Sequence, residues 1–246
     1  MTAPSYLRFK LLSSFNRRLV PTGTHGPFVT FTFDDFPRTA LTVGGSIIEG
    51  CRGRATYYAA MGLMGQKSEN GEYFQSSDLQ HLVHRGHELA NHTFSHLSAW
   101  KASPTQFLID VEQCDVAMRE ALKSEASSNF AYPFGCGTLM AKRMLGTRMD
   151  SCRGACAGLN GPDVDLNWLK ANCLYGGMEQ FEAAKRLIQK NERQRKWLIF
   201  CTHDVSTRPS RFGCTPDLLY NVATWAAAHS AAIMTIRDVI AKYRNA

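Results

Sequence analysis

Strand and helix patterns alternate along most of this chain, and that alternation constrains its fold more than any other feature. Residues 197–202, WLIFCT, are an unbroken apolar run between polar segments, the mark of a strand covered on both faces. Residues 28–33, FVTFTF, alternate apolar residues with Thr and are rich in strand formers. Further strands are expected at 55–60, 88–90, 129–132, 150–152, 170–174 and 232–236. Helical patterns lie between them at 77–85, 103–118, 140–148, 180–195 and 215–229, followed by a terminal helix. Gly86 follows the first helix at the C′ position. Ser103, Pro104 and Gln106 supply the cap, first-turn proline and capping-box partner of the second. Thr215, Pro216 and Asp217 open the fifth. Such βαβ units imply an α/β protein with a mainly parallel sheet. Seven or eight of them in 246 residues point to a barrel, with a doubly wound sheet as the alternative.

Composition closes off several classes. Apolar residues make up 44% and charged residues 20%, which excludes an intrinsically disordered chain. No stretch approaches the roughly 18 continuous apolar residues of a membrane span. The charge of +7, from 28 Lys+Arg against 21 Asp+Glu, suits ordinary solubility and would also attract acidic glycans or anionic lipid. There is no long run of like charge and no basic-aromatic RNA-binding motif, so no nucleic-acid partner is expected. No GxGxxG follows the first strand, which counts against a dinucleotide site. The eight cysteines include no CxxC pair and read as reduced thiols, several in core strands.

Residues 1–27 stand apart from the alternation as an N-terminal basic amphipathic segment, with 28–246 as the domain that carries the chemistry. Leu7, Leu11 and Phe15 fall at i, i+4 and i+8, with Arg8, Lys10, Arg17 and Arg18 nearby. Such a helix packs on the barrel or on a subunit, or makes peripheral contact with an anionic membrane surface. It lacks the apolar core and small-residue cleavage site of a secretory signal, so a cytoplasmic location is expected.

Polar groups at the carboxyl ends of barrel strands line active sites. Three titratable clusters follow expected strands here: Asp34-Asp35, His92 with His96, and His203-Asp204. Each alone is weak, since paired acids often cap the next helix and most histidine pairs lie on surfaces. An HxxxH spacing places two imidazoles on one side of a helical turn. Together the clusters offer what a catalytic zinc needs: two neutral nitrogens, one carboxylate and an open fourth position. Adjacent acids can diverge, so one binds metal while the other serves as a general base.

These residues resemble the motifs of the NodB-type polysaccharide deacetylases, carbohydrate esterase family 4. Thr32-Phe33-Asp34-Asp35 resembles the first motif, and His92-Thr93-Phe94-Ser95-His96 matches H-[ST]-x-x-H. Tyr132-Pro133-Phe134-Gly135 resembles the third, and 198–203, ending in His203, the last. The resemblance implies a distorted (β/α) barrel of seven or eight strands, holding one divalent metal ion. That ion is usually zinc, with cobalt, nickel or manganese also accepted by Asp/His/His ligation. It further implies Asp34 as catalytic base, Asp35, His92 and His96 as metal ligands, and His203 as the acid that protonates the leaving amine. The backbone N–H of Phe134 would help hold the oxyanion.

Two departures accompany the resemblance. Ala131 stands where the family has an arginine paired with the base, and Arg153 is a candidate replacement. Asn167 stands where an aspartate tunes the last-motif histidine, with Asp165 or Asp163 as substitutes. The expected activity is metal-dependent removal of an N-acetyl group from an amino sugar, oligosaccharide or glycolipid precursor. The alternatives are a glycan-binding protein with weak or no turnover, and a metal amidase acting on a small amide.

Overall fold

The computed structural model describes residues 12–23, 25–123, 128–230 and 232–245. Eight parallel strands form its central sheet: β1 Phe28–Asp34, β2 Thr56–Ala59, β3 Glu88–Asn91, β4 Asn129–Ala131, β5 Ser151–Arg153, β6 Asn172–Cys173, β7 Trp197–Thr202 and β8 Ala232–Ile233. Their order is β6–β7–β1–β2–β3–β4–β5. β8 pairs with Phe28 and Val29 at the start of β1, while β2 pairs with Thr32 to Asp34 at its end. The edge at β5 meets the segment before β6 through a single bridge, Arg153 with Leu169. The sheet therefore curls into a distorted barrel.

Helices α1 Ser76–His84, α2 Pro104–Leu122, α3 Leu139–Leu145, α4 Phe181–Gln194, α5 Pro216–His229 and α6 Ile236–Arg244 cover the strands. Their starts follow the sequence signals. Ser103 and Gln106 form the capping box of α2, and the Thr215 side chain caps α5 ahead of Pro216. Among the described residues no helix is long and apolar enough to cross a membrane.

The two-residue period of a strand divides its side chains between two cores. On β1, Val29, Phe31 and Phe33 turn outward against α5 residues such as Leu218 and Val222. Phe28 turns into the barrel against Trp197 and Ile199 of β7 and Tyr58 of β2. Thr30 lies on the same inner face, where its hydroxyl oxygen accepts the Trp197 indole N–H at 2.9 Å. By the same count Asp34 also faces inward, as does Arg153 two residues beyond Ser151.

Three features departed from expectation. Residues Ala40–Gly45 form a π-helix running into Ser46–Gly50. A hairpin, Lys67–Ser68 paired with Gly71–Glu72, interrupts the connection from β2 to α1. Leu19–Pro21 pairs antiparallel with Asp163–Asp165. The described part of the N-terminal segment packs on the barrel: Leu12 is buried with Phe107 and Phe130, and Arg18 donates to the carbonyls of Met149 and Asp150 at 2.7 Å each. Leu7, Arg8, Lys10 and Leu11 lie outside the described residues. Phe15 is exposed. No disulfide joins the described cysteines.

The floor of the barrel is polar and fully buried. Glu88, at the start of β3, accepts from Thr56 of β2 at 2.7 Å, the Asn129 amide of β4 at 2.6 Å, and the Arg237 backbone N–H of α6 at 3.0 Å. One carboxylate thus ties three strands to a helix N-terminus, where negative charge is favourable. Replacing Glu88 with Ala strands these donors in a buried site and should cost about 3–5 kcal/mol of stability. Urea unfolding of the variant beside Glu88→Gln, which keeps one acceptor oxygen and loses less, checks this.

Candidate active site

The inner face of the barrel converges at the carboxyl ends of β1, β3, β5 and β7. Asp34 closes β1 and remains in its inward register. The next two residues turn sharply, with φ of 62° at Asp35 and 56° at Phe36. L-residues rarely occupy this left-handed region, and such outliers concentrate at functional sites. The turn separates the two carboxylates and delivers Asp35 to the histidines.

His92 follows β3 on its inner face, and His96 lies in the loop beyond. The HxxxH stretch is not helical, contrary to the spacing argument. Thr93 and His96 have φ of 62° and 55°, and side chains organise the loop. Asp110 of α2 accepts the Ser95 backbone N–H at 3.0 Å and its hydroxyl at 2.8 Å. The Thr93 hydroxyl oxygen accepts the Leu97 N–H at 2.8 Å. Asn91 pins the strand end to α2 by donating to the Val111 carbonyl at 2.9 Å. The two imidazoles converge because a folded loop returns His96, rather than because of helical periodicity.

Asp35 Oδ1 lies 3.5 Å from His92 Nε2 and 3.2 Å from His96 Nε2. This oxygen is buried and has no hydrogen-bond partner among the described residues. His92 Nδ1 lies 2.8 Å from the Ala131 carbonyl; donating there leaves its Nε2 with a free lone pair. Burial pushes the His92 imidazole down to about 3 and also lowers His96, so both rings are neutral, as metal ligands must be. Asp35, His92 and His96 are the set of metal-competent donors found among the described residues. Two nitrogens, one oxygen and an orphaned carboxylate oxygen fit a divalent cation.

Asp34 and Asp35 experience opposite fields. Burial raises Asp35 to about 6, with His203 opposing that shift and Asp34 adding to it. Burial acts upward on Asp34 as well, but Arg153, His92 and His203 together hold it below the ordinary carboxylate range. Arg153 Nη2 sits 2.5 Å from Asp34 Oδ1. The guanidinium is fully buried, donates to the Gly154 carbonyl at 3.1 Å, and lies 4.9 Å from the Tyr58 ring centroid. Ala131 and Arg153 are cross-strand partners on β4 and β5. The arginine therefore stands one strand over at the same height, and the small Ala131 leaves room for it.

His203 extends from the end of β7, its Nε2 3.9 Å from Asp35 Oδ2, with its ring between Tyr175 and Phe212. Its buried Nδ1 has no partner among the described residues. Asp165 does not supply one. It binds Lys142 at 2.7 Å and accepts the backbone N–H groups of Arg18 and Asn167 at 3.0 Å. Asn167 donates to the Asn16 carbonyl. Both residues serve the attachment of the N-terminal segment: Asp165 ends the strand Asp163–Asp165, which pairs with Leu19–Pro21, and Asn167 lies just beyond it. Asp204 closes its own loop by accepting the Ser210 N–H and hydroxyl at 2.9 and 2.6 Å.

Asp34, Asp35, His92, His96, His203 and Phe134 line one cavity of about 510 Å³. Phe134 has φ 60° and ψ 13°, and its exposed ring lies 4.6 Å from His96. Further lining residues, among them Ser68, Glu69 and Asn70 of the hairpin, escaped the sequence reading. The one available signal was the glycine-punctuated stretch at 65–71, which marks a turn without saying where it points.

The model of the family described as polysaccharide deacetylase matches residues 22–145, about half of the chain, including Asp34, Asp35, His92, His96 and Phe134. The comparison with curated proteins gave no match. Among solved structures, a family 4 acetyl xylan esterase from Clostridium thermocellum in complex with a cobalt ion superposes with a TM-score of 0.56 at 15% identity. That alignment covers 87% of this chain and 90% of the esterase. The peptidoglycan deacetylase PdaC from Bacillus subtilis gives a TM-score of 0.54 at 13% identity, covering 90% and 95%. A family 4 carbohydrate esterase from Streptomyces lividans in complex with acetate gives 0.52 at 16%, covering 82% and 88%. At these identities the superpositions establish a shared fold, while the family assignment comes from the matched segment and the motif residues within it. The chain belongs to the polysaccharide deacetylase family, in the NodB-type group of carbohydrate esterase family 4.

Proposed function

We propose that this protein is a metal-dependent hydrolase that removes an N-acetyl group from an amino sugar or an N-acetylated glycan precursor. One observation carries the reading: a complete donor set, Asp35, His92 and His96, shares a cavity with a carboxylate held ionised by a buried arginine. A binding protein has no need of a buried charged base, so the inactive-binder reading is not favoured.

Asp35 and the Nε2 atoms of the two histidines would hold the ion. Zinc suits this set best, with cobalt, nickel or manganese acceptable. Such an ion supplies Lewis acidity, polarising a carbonyl and making a water more acidic. Asp34 accepts the proton from the attacking water, and Arg153 keeps it ionised for that task. The peptide N–H of Phe134 helps hold the oxyanion. His203 delivers a proton to the departing amine nitrogen. With no carboxylate on Nδ1 among the described residues, the ring is oriented by Tyr175, Phe212 and the nearby Asp35 carboxylate.

Chelator-treated protein should regain activity with one equivalent of zinc or cobalt, and His92→Ala should lose the calorimetric signal of that binding. Zinc-loaded protein should release acetate from N-acetylglucosamine oligomers. Asp34→Asn should slow this by about 10²–10⁴ while still binding zinc. Hydrolysis indifferent to metal would overturn the mechanism. Silence on sugars beside turnover of small N-acyl amides would move the assignment to a metal amidase.

Arg153→Ala leaves a buried carboxylate uncompensated and should lower kcat/KM by about 10²-fold or more. Adding Ala131→Arg restores a guanidinium at the same height from the neighbouring strand. The double variant should recover at least part of the loss, measured by acetate release at saturating zinc.

A further inference from the structure

Two loops that follow the strands on either side of β1, one after β2 and the other after β7, meet at the mouth of the candidate site. One is the hairpin at 67–72, whose base is fixed beside the Asp35 turn. The Phe74 N–H donates to the Phe36 carbonyl at 3.2 Å, the Tyr73 N–H to Gln66 at 2.9 Å, and Pro37 bridges Tyr73. Near its tip the Asn70 N–H donates to Ser68 Oγ at 3.0 Å, and that oxygen lies 2.8 Å from the Tyr73 hydroxyl. Gly71, with φ of 96°, supplies the left-handed backbone this turn requires. The Asn70 side chain is 7% exposed and donates through Nδ2 to Asp35 Oδ2 at 3.4 Å. Its Oδ1 has no partner among the described residues.

The other loop spans 204–214. The Cys214 N–H donates to the Asp204 carbonyl at 2.9 Å, and the His203 N–H to Phe212 at 3.1 Å. A Cβ at Gly213 would lie 2.2 Å from Asp204 Oδ1, so the loop closes only with glycine there. The two loops join through Arg211 Nη2 and Glu69 Oε1 at 3.2 Å, both side chains being largely exposed. Asp35 and His92 lie buried beneath them, and Glu69, Asn70, Arg211 and Phe212 all line the cavity.

The bridge walls the mouth on the β1 side, so a chain that continued in that direction would have to displace it, whereas a terminal unit would not. The cavity, about 510 Å³, falls within the range of small-molecule pockets, roughly 300–1,000 Å³. We propose that the Glu69–Arg211 clasp, with Asn70 beneath it, selects a single N-acetylated sugar or the terminal unit of an N-acetylated sugar chain over interior units. The inference rests on the deacetylase reading. Asn70 is a positioning residue: Nδ2 holds the second oxygen of Asp35, and Oδ1 accepts from a hydroxyl or amide N–H of the sugar. An exposed ion pair contributes only about 0.2–1 kcal/mol, so the clasp opens readily and selects by shape.

The test compares N-acetylglucosamine oligomers of one to six units with zinc-loaded wild type, Arg211→Ala, Glu69→Ala and the charge-swapped Glu69→Arg/Arg211→Glu pair. Wild type should release acetate mainly from a terminal unit, with kcat/KM that does not rise with length. Each single variant should raise the hexamer-to-dimer ratio of kcat/KM by about fivefold, the equivalent of 1 kcal/mol. The charge swap should restore the wild-type ratio, which a merely structural role would not produce. Release mainly from interior units by wild type, or a ratio unmoved by every variant, overturns the proposal. If no oligomer is hydrolysed, the deacetylase reading fails separately. Calorimetry of Asp34→Asn with dimer and hexamer then decides the clasp: hexamer binding clearly tighter than dimer binding would overturn it.

Discussion

The buried ion pair between Arg153 and Asp34 sets the terms for the rest of the site. Two charges removed from water carry a desolvation penalty that their mutual attraction offsets only when geometry and further hydrogen bonds are good. Here the guanidinium has the carboxylate, the Gly154 carbonyl and the Tyr58 ring face. Those contacts require β1, β2 and β5 to hold their relative register, and they require a small residue at 131. Ala131 also offers its carbonyl to His92 Nδ1, which fixes the lone pair of Nε2 toward Asp35. One short residue on β4 thus admits the arginine and orients a candidate metal ligand. The same pair separates two adjacent aspartates in their proton affinity: the one beside Arg153 remains ionised, and the one facing the histidines is raised by burial. That divergence lets neighbouring carboxyl groups do different chemistry.

Much of this was legible in the sequence because it follows from short-range periodicity. The alternation in FVTFTF places Asp34 inside the barrel, and the unbroken WLIFCT run is a strand covered on both faces, delivering His203 to the same rim. Caps at Ser103 and Thr215 mark helix starts to the residue. Other features depend on register and loop path, which no local pattern encodes. Arg153 was a candidate for Asp34 from its strand alone; its pairing depends on Ala131 and Arg153 sharing one cross-strand position. The HxxxH spacing brought to attention two histidines that do converge on Asp35, but for the wrong geometric reason, since Asp110 and Thr93 shape a loop there. Asp165 lay close in sequence to the expected tuning residue but belongs to the strand paired with Leu19–Pro21, where Lys142 and Arg18 occupy it.

The division between strands and loops carries a functional consequence. Groups that would handle protons and hold the ion sit at strand ends or in turns braced by buried hydrogen bonds, where positions are fixed by the barrel. Groups that would meet the remainder of a substrate sit on the 67–72 hairpin and the 204–214 loop, which pack against the rim rather than form it. Chemistry can then be retained while the shape of the mouth changes, because lengthening a connection costs little once its ends are fixed. The hairpin adds a constraint of its own. Its base hydrogen-bonds to Phe36, the residue after Asp35, and its tip reaches Asp35 through Asn70. The element that narrows the mouth is therefore mechanically tied to a metal-ligand candidate, so a substrate that displaces the hairpin also disturbs the carboxylate beneath it. Discrimination by size and positioning of the reacting centre are thereby coupled, which is how binding energy remote from the reacting bond can influence the rate at that bond.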